Sequence, residues 1–120
     1  MLPPKKLYVT LKGPLKNSMG FVSGLYILKS DQINGKPYWV QHKEYWIEGR
    51  GMAIWNEGEF ENWNIGDIGD LGSSTVFIYS SSYTVGPHET VTWNYFKNDD
   101  IDTSFETTDI IISPASGILQ

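Results

Sequence analysis

The stretch NGKPYWVQHKEYWIEGRGMAIWNEGEFENWNIGD, from Asn34 to Asp67, holds four of the five tryptophans in this chain of 120 residues. It opens on Asn34-Gly35, the strongest two-residue hairpin signal, because both residues tolerate the positive φ that a type I′ turn requires. Apolar residues then recur with period two. Tyr38 and Val40 oppose Trp39 and Gln41, and Tyr45 and Ile47 oppose Trp46 and Glu48. Met52 and Ile54 oppose Ala53 and Trp55, while Trp63 and Ile65 oppose Asn62 and Asn64. Turn residues at GRG and NEGE separate the runs. Period two between turn signals predicts consecutive antiparallel strands.

The same pattern extends in both directions. LYVTLKG sets Leu7, Val9 and Leu11 against Tyr8, Thr10 and Lys12, and GLYILKS is apolar on both faces. STVFIYSSS, TVTWNYF and IIIS complete the set, with KNDDIDTSFETTD read as an acidic loop before the last strand. No window carries apolar residues at i, i+3, i+4 and i+7, the helical signature. The expectation is one all-β domain over residues 1–120: an antiparallel β-sandwich or barrel of about nine short strands, largely a meander. Its core should span about 7–113, leaving 114–120 as a tail.

Composition narrows the function classes. The chain has no cysteine, which removes disulfides, thiolate metal sites and a cysteine nucleophile. No run approaches the roughly 18 apolar residues of a membrane helix, so no membrane insertion is expected. The opening MLPPKKLYVT has a basic pair without a following apolar region, so no signal peptide is visible. The formal net charge of −5 argues against a nucleic-acid partner, because phosphate contacts need a basic face. The charge is unevenly placed: residues 1–50 hold eight basic and three acidic side chains, residues 51–120 one basic and eleven acidic. Either the surface charges of neighbouring strands offset, or the molecule has two faces through which copies attract one another.

Trp39, Trp46 and Trp55 lie opposite the aliphatic residues of their strands, beside polar or small neighbours, whereas Trp63 shares its face with Ile65 and is expected in the core. Two readings stay open for the first three. Both faces of the sheet are covered and the indoles fill a second core layer, or they form a partly exposed aromatic platform. In the second case the ligand-binding residues are Trp39, Gln41, His42, Trp46, Trp55, Asn56 and Glu57. A flat indole beside amides and carboxylates suits the CH faces and hydroxyls of a glycan, and a protein ligand would use the same anchors.

Catalysis finds little support. Glu57, Glu59 and Glu61 fall on one side of a single strand or turn, where they cannot flank a glycosidic bond. The serines at 80–82 lack a nucleophile elbow. His42 and His88 are the only histidines. Asp100, Asp102 and Ser104 repeat the spacing that opens a calcium loop but lack its glycine, which leaves a weak calcium candidate and no other cofactor. The glycines at 66, 69 and 72 precede a strand-like run, not a helix N-terminus, so they make a poor phosphate cradle.

The order of signals resembles a loosely defined eukaryotic all-β module found in single or tandem copies in large, often secreted, multidomain proteins. The resemblance rests on Gly24 and Tyr26; Asn34, Gly35, Pro37 and Tyr38; Ile54 and Trp55; Trp63, Ile65 and Gly66; Leu71 and Gly72; and Trp93 and Tyr95. It covers roughly residues 20–96 and implies an accessory β-module without an assigned activity. Many such modules carry a cysteine before the final Trp, and this chain has none. The expected function is therefore a non-enzymatic binding module presenting an aromatic face to a glycan or protein partner. The alternative is an assembly subunit that forms a homo-oligomer through its charge-asymmetric and aromatic surfaces.

Overall fold

The computed structural model describes residues 2–73, 76, 78–97 and 100–115. They form one nine-stranded antiparallel sheet, rolled into a nearly closed barrel. The strands are β1 (Lys6–Leu11), β2 (Gly24–Leu28), β3 (Trp39–Gln41), β4 (Met52–Asn56), β5 (Trp63–Asp67), β6 (Ile78–Ser80), β7 (Trp93–Lys97), β8 (Asp100–Thr107) and β9 (Ile110–Pro114). Each of β1 to β7 pairs with the next strand in the chain, and β9 returns to pair with β1.

The two edges of the sheet are joined by the chain itself. Thr107, the last residue of β8, pairs with Trp93 of β7, and Ile110, the first of β9, already pairs with Leu11 of β1. Only Thr108 and Asp109 lie between them. The corner is held by Asp109, whose carbonyl accepts from the Lys12 amide at 2.9 Å and whose amide donates to Thr107 Oγ1 at 3.0 Å. Covalent continuity thus joins the two ends of the ladder, whose edge strands β8 and β9 are not paired with each other.

Alternation along each strand fills the inside. Leu7, Val9, Leu11, Tyr26, Trp39, Met52, Ile54, Trp63, Ile65, Ile78, Trp93, Ile110 and Ile112 form one buried cluster. Between β1 and β2 the short helix α1 (Pro14–Ser18) and the 3-10 turn Gly20–Val22 add Leu15, Met19 and Val22 to that cluster, covering one end of the barrel. Tyr26 ties this cover to β2: its hydroxyl donates to the Val22 carbonyl at 2.6 Å, and burial raises its pKa far above the ordinary phenol value.

A second, smaller cluster lies on the outer face. Tyr38, Ala53 and Trp55 are buried there beneath Ile33, Val40, Ile68, Leu71 and Val76. Trp55 rests on the backbone of β5 at Gly66, where an added Cβ would come within 2.9 Å of the indole ring. Its Nε1 donates to the Ser73 carbonyl at 3.0 Å. The hairpin tip beside it has the expected two-residue turn: φ is +55° at Asn34 and +76° at Gly35, with Ile33 and Lys36 exchanging backbone hydrogen bonds of 3.0 Å.

The strand count agrees with the expectation, but two segments exchange roles. EYWIEG is no strand: Lys43–Tyr45 forms a 3-10 turn, and Ile47 bridges Arg50 around a second two-residue turn with φ +53° at Glu48 and +77° at Gly49. The segment expected to be an acidic loop contains β8, in which Phe105 pairs with Tyr95 of β7. Residues 116–120 of the expected tail lie outside the described residues, whereas Pro114 pairs with Leu7 and the Ala115 amide donates to the Lys6 carbonyl.

Candidate functional site

Burial removes the larger part of the expected platform from the surface. Trp39 is 1 % exposed; its ring meets Trp63 edge-on at 5.9 Å and its Nε1 donates to the Pro4 carbonyl at 2.8 Å. The register decides this placement. Trp39 pairs with Ile54 and Gln41 with Tyr26, so the indole and the amide face the barrel interior while Tyr38 and Val40 face outward. Gln41 donates from Nε2 to the Phe21 and Ser23 carbonyls and accepts from the Met52 amide, each at 3.0 Å. Trp55 sits in the outer cluster under the loop that follows β5. Asn56 is also buried and braces the 57–61 loop, donating to the Glu61 carbonyl at 2.8 Å and accepting from the Gly58 amide at 3.0 Å. These four residues are structural, because both faces of the sheet are covered where they stand.

His42, Trp46 and Glu57 keep some exposure. The His42 Nδ1 accepts from the Glu44 amide at 3.2 Å and so caps the 3-10 turn. Trp46 donates from Nε1 to the Gln41 carbonyl at 2.8 Å and lies flat over Gly51, where a Cβ would fall 2.3 Å from the indole nitrogen. Lys43 Nζ stands 5.9 Å from its ring centre. The Glu57 carboxylate accepts from the Phe60 amide and closes its own loop. Of the calcium candidates, Ser104 is exposed and accepts from the Tyr79 hydroxyl at 3.3 Å, while the side chains of Asp100 and Asp102 lie outside the described residues. Among the described residues no group of three or more His, Asp and Glu side chains converges on a metal position.

An aromatic surface does exist, built from other residues. Tyr8 projects outward from β1 and is 41 % exposed. Tyr45, from the 3-10 turn, packs over Gly24, and the two phenol oxygens approach to 3.4 Å. Gly24 is required twice there. Its φ is +126°, and a Cβ would meet Tyr45 Cγ at 2.4 Å. Beside the phenols opens a groove of about 270 Å³, whose lining includes Tyr8, Thr10, Lys16, Ser23 and Tyr45 together with the apolar Val9 and Leu11. The hydrogen bond with Tyr8 and, after it, desolvation raise the pKa of Tyr45 above the ordinary phenol value.

The groove thus offers two ring faces, three kinds of hydroxyl and one ammonium. A ligand with apolar CH patches alternating with hydroxyl or anionic oxygens could use all of them together. Tyr8 was identifiable in the sequence as a lone aromatic in the polar register of β1, and Gly24 belongs to the Gly-x-Tyr pair. Their meeting with Tyr45 was not, since it depends on the non-strand path of residues 43–46. No family model, curated protein or solved structure matches the chain.

Proposed function

We propose that this protein is a non-enzymatic binding module that takes a glycan in the groove between Tyr8, Tyr45 and Lys16. The observation that carries the reading is the meeting of two tyrosines at the sheet surface, with hydroxyls 3.4 Å apart and Tyr45 packed on Gly24. Aromatic rings on a barrel wall lose little conformational freedom on binding, which is why Tyr and Trp serve so often as anchors. The accessory role implied by the sequence resemblance agrees with it.

A glycan array followed by amide chemical-shift mapping tests the proposal. Tyr8→Ala and Tyr45→Ala should each weaken capture by about 2 kcal/mol, roughly thirtyfold, and leave the far-UV circular dichroism of the barrel in place. Tyr8→Phe, which keeps the ring and loses the hydroxyl, should retain most of the affinity. Capture that is unaffected by either alanine substitution, or shifts confined to other surfaces, would remove the groove from consideration.

The alternative of an assembly subunit is supported by one observation. Because strand order around the barrel follows the chain, the basic first half occupies the side from β1 to β3 and the acidic half the side from β5 to β8. Two of the basic residues are neutralised locally, Lys36 by Glu61 at 3.2 Å and Arg50 by Asp67 at 2.9 Å. Contact between the remaining charges of two copies would join them head to tail. Self-association of that kind should weaken between low salt and roughly 0.5 M. A sedimentation profile that is monomeric at every ionic strength would dispose of it.

A further inference from the structure

We propose that the ligand of the Tyr8–Tyr45 groove is an anionic glycan, one carrying sulfate or carboxylate groups; the inference rests on the groove being a glycan site at all. The outward register of β1 reads Lys6, Tyr8 and Thr10, and Lys12 follows directly after the strand, so a lysine lies on either side of the exposed ring in the chain. Lys16 lines the groove itself, and Lys43 stands beside Tyr45 with its Nζ over Trp46. None of these four lysines makes an ion pair among the described residues, whereas Lys36 and Arg50 do. The opposing charges are Glu44, next to Tyr45, and Asp109, whose carboxylate reaches Gly13 beyond Lys12. Lys16 lines the groove and Lys6, Lys12 and Lys43 lie within two residues of its lining, against Glu44 and Asp109, a local excess of positive charge in a protein whose formal net charge is −5.

The net charge does not cancel that local sign. The molecule measures 39 × 30 × 26 Å, so its opposite sides are separated by well over the Debye length of about 8 Å at physiological ionic strength. A ligand in the groove therefore feels the nearby lysines far more than the acidic strands across the barrel. Rings for the CH faces of a sugar, hydroxyls at Thr10 and Ser23, and the Lys16 ammonium, with further lysines adjoining the lining in the chain, make a combination that a neutral sugar would use only in part. An acidic peptide would satisfy the lysines but not the ring faces.

The test compares a heparin-derived tetrasaccharide with its desulfated, N-acetylated counterpart by calorimetric titration of the full chain at about 0.05 M and 0.15 M salt. The sulfated sugar should bind at least about tenfold more tightly at the lower salt and lose affinity at the higher. Lys16→Gln and Lys6→Gln should each weaken it about fivefold, with little effect on the desulfated sugar. Tyr8→Ala should weaken both. Equal affinity for the two sugars, with both lost in Tyr8→Ala, would overturn the anionic preference and leave the glycan groove standing. Sulfated-sugar binding that survives Tyr8→Ala and Lys16→Gln would place the anion elsewhere and overturn the inference, as would no binding of the sulfated sugar.

Discussion

Trp63→Ala should lower the unfolding free energy by about 3–5 kcal/mol, the range for deleting a buried aromatic side chain. The indole is fully buried in the barrel interior, edge-on to Trp39, and its Nε1 donates to the Thr84 carbonyl at 2.8 Å. Truncation removes the ring contact, opens a cavity between β3 and β5, and leaves that carbonyl without its donor. Trp63→Phe should cost less, because it restores part of the volume while still forfeiting the N–H. Trp46→Ala makes the contrast: this indole is only half-buried, so its loss should be clearly smaller. Urea unfolding followed by far-UV circular dichroism measures all three. A cost below about 1 kcal/mol at Trp63 would mean that the barrel closes around the gap with far more relaxation than well-packed interiors allow.

Gln41→Met should be nearly as damaging although it conserves length and volume. One amide side chain satisfies two carbonyls of the 20–23 cover and one amide of β4, and the residue is 2 % exposed. Methionine offers none of the three groups a partner in a buried site, at about 1–3 kcal/mol for each hydrogen bond lost there, so a total of at least about 3 kcal/mol is expected. Gln41→Glu separates hydrogen bonding from packing. Its carboxylate can still accept from the Met52 amide but meets two carbonyl oxygens with no donor. The buried acid should therefore hold its proton more firmly in the folded state than in the unfolded one. Stability contributed by a raised pKa is present below the unfolded value and is lost as pH rises, so this variant should recover toward acid relative to the parent. If Gln41→Met unfolds at the parent's urea midpoint, ordered water must serve the three groups in its place.

Some of the fold could be read directly from local pattern. The Asn34-Gly35 turn follows from two residues that accept positive φ, and the meander follows from strands too short and too close to be joined otherwise. In MAIWN the two faces separate as alternation requires, Met52 and Ile54 to the interior cluster and Ala53 with Trp55 to the outer one. The tyrosine groove was only half legible. Tyr8 announces its outward direction, but EYWIEG imitates a strand by alternating, and the Glu48-Gly49 turn inside it is the signal that argued otherwise. The opposite mistake at β8 has the same root. Ile101, Thr103, Phe105 and Thr107 alternate with polar residues, yet the density of acidic side chains resembled a loop.

What the amino-acid order determined without reference to distant contacts is the period of each run, the positions of the turns and the division of every strand into two faces. Which face looks inward is a different kind of fact. For KPYWVQ both faces are aromatic or apolar enough to be core, so nothing local distinguishes Trp39 from Tyr38. The choice belongs to the pairings Trp39 with Ile54 and Gln41 with Tyr26, which set those side chains on the side of the interior cluster. Alternation has a period but no sign. The sign is set by which side of the sheet becomes concave and which side the loops fold over, and both depend on residues far apart in the chain.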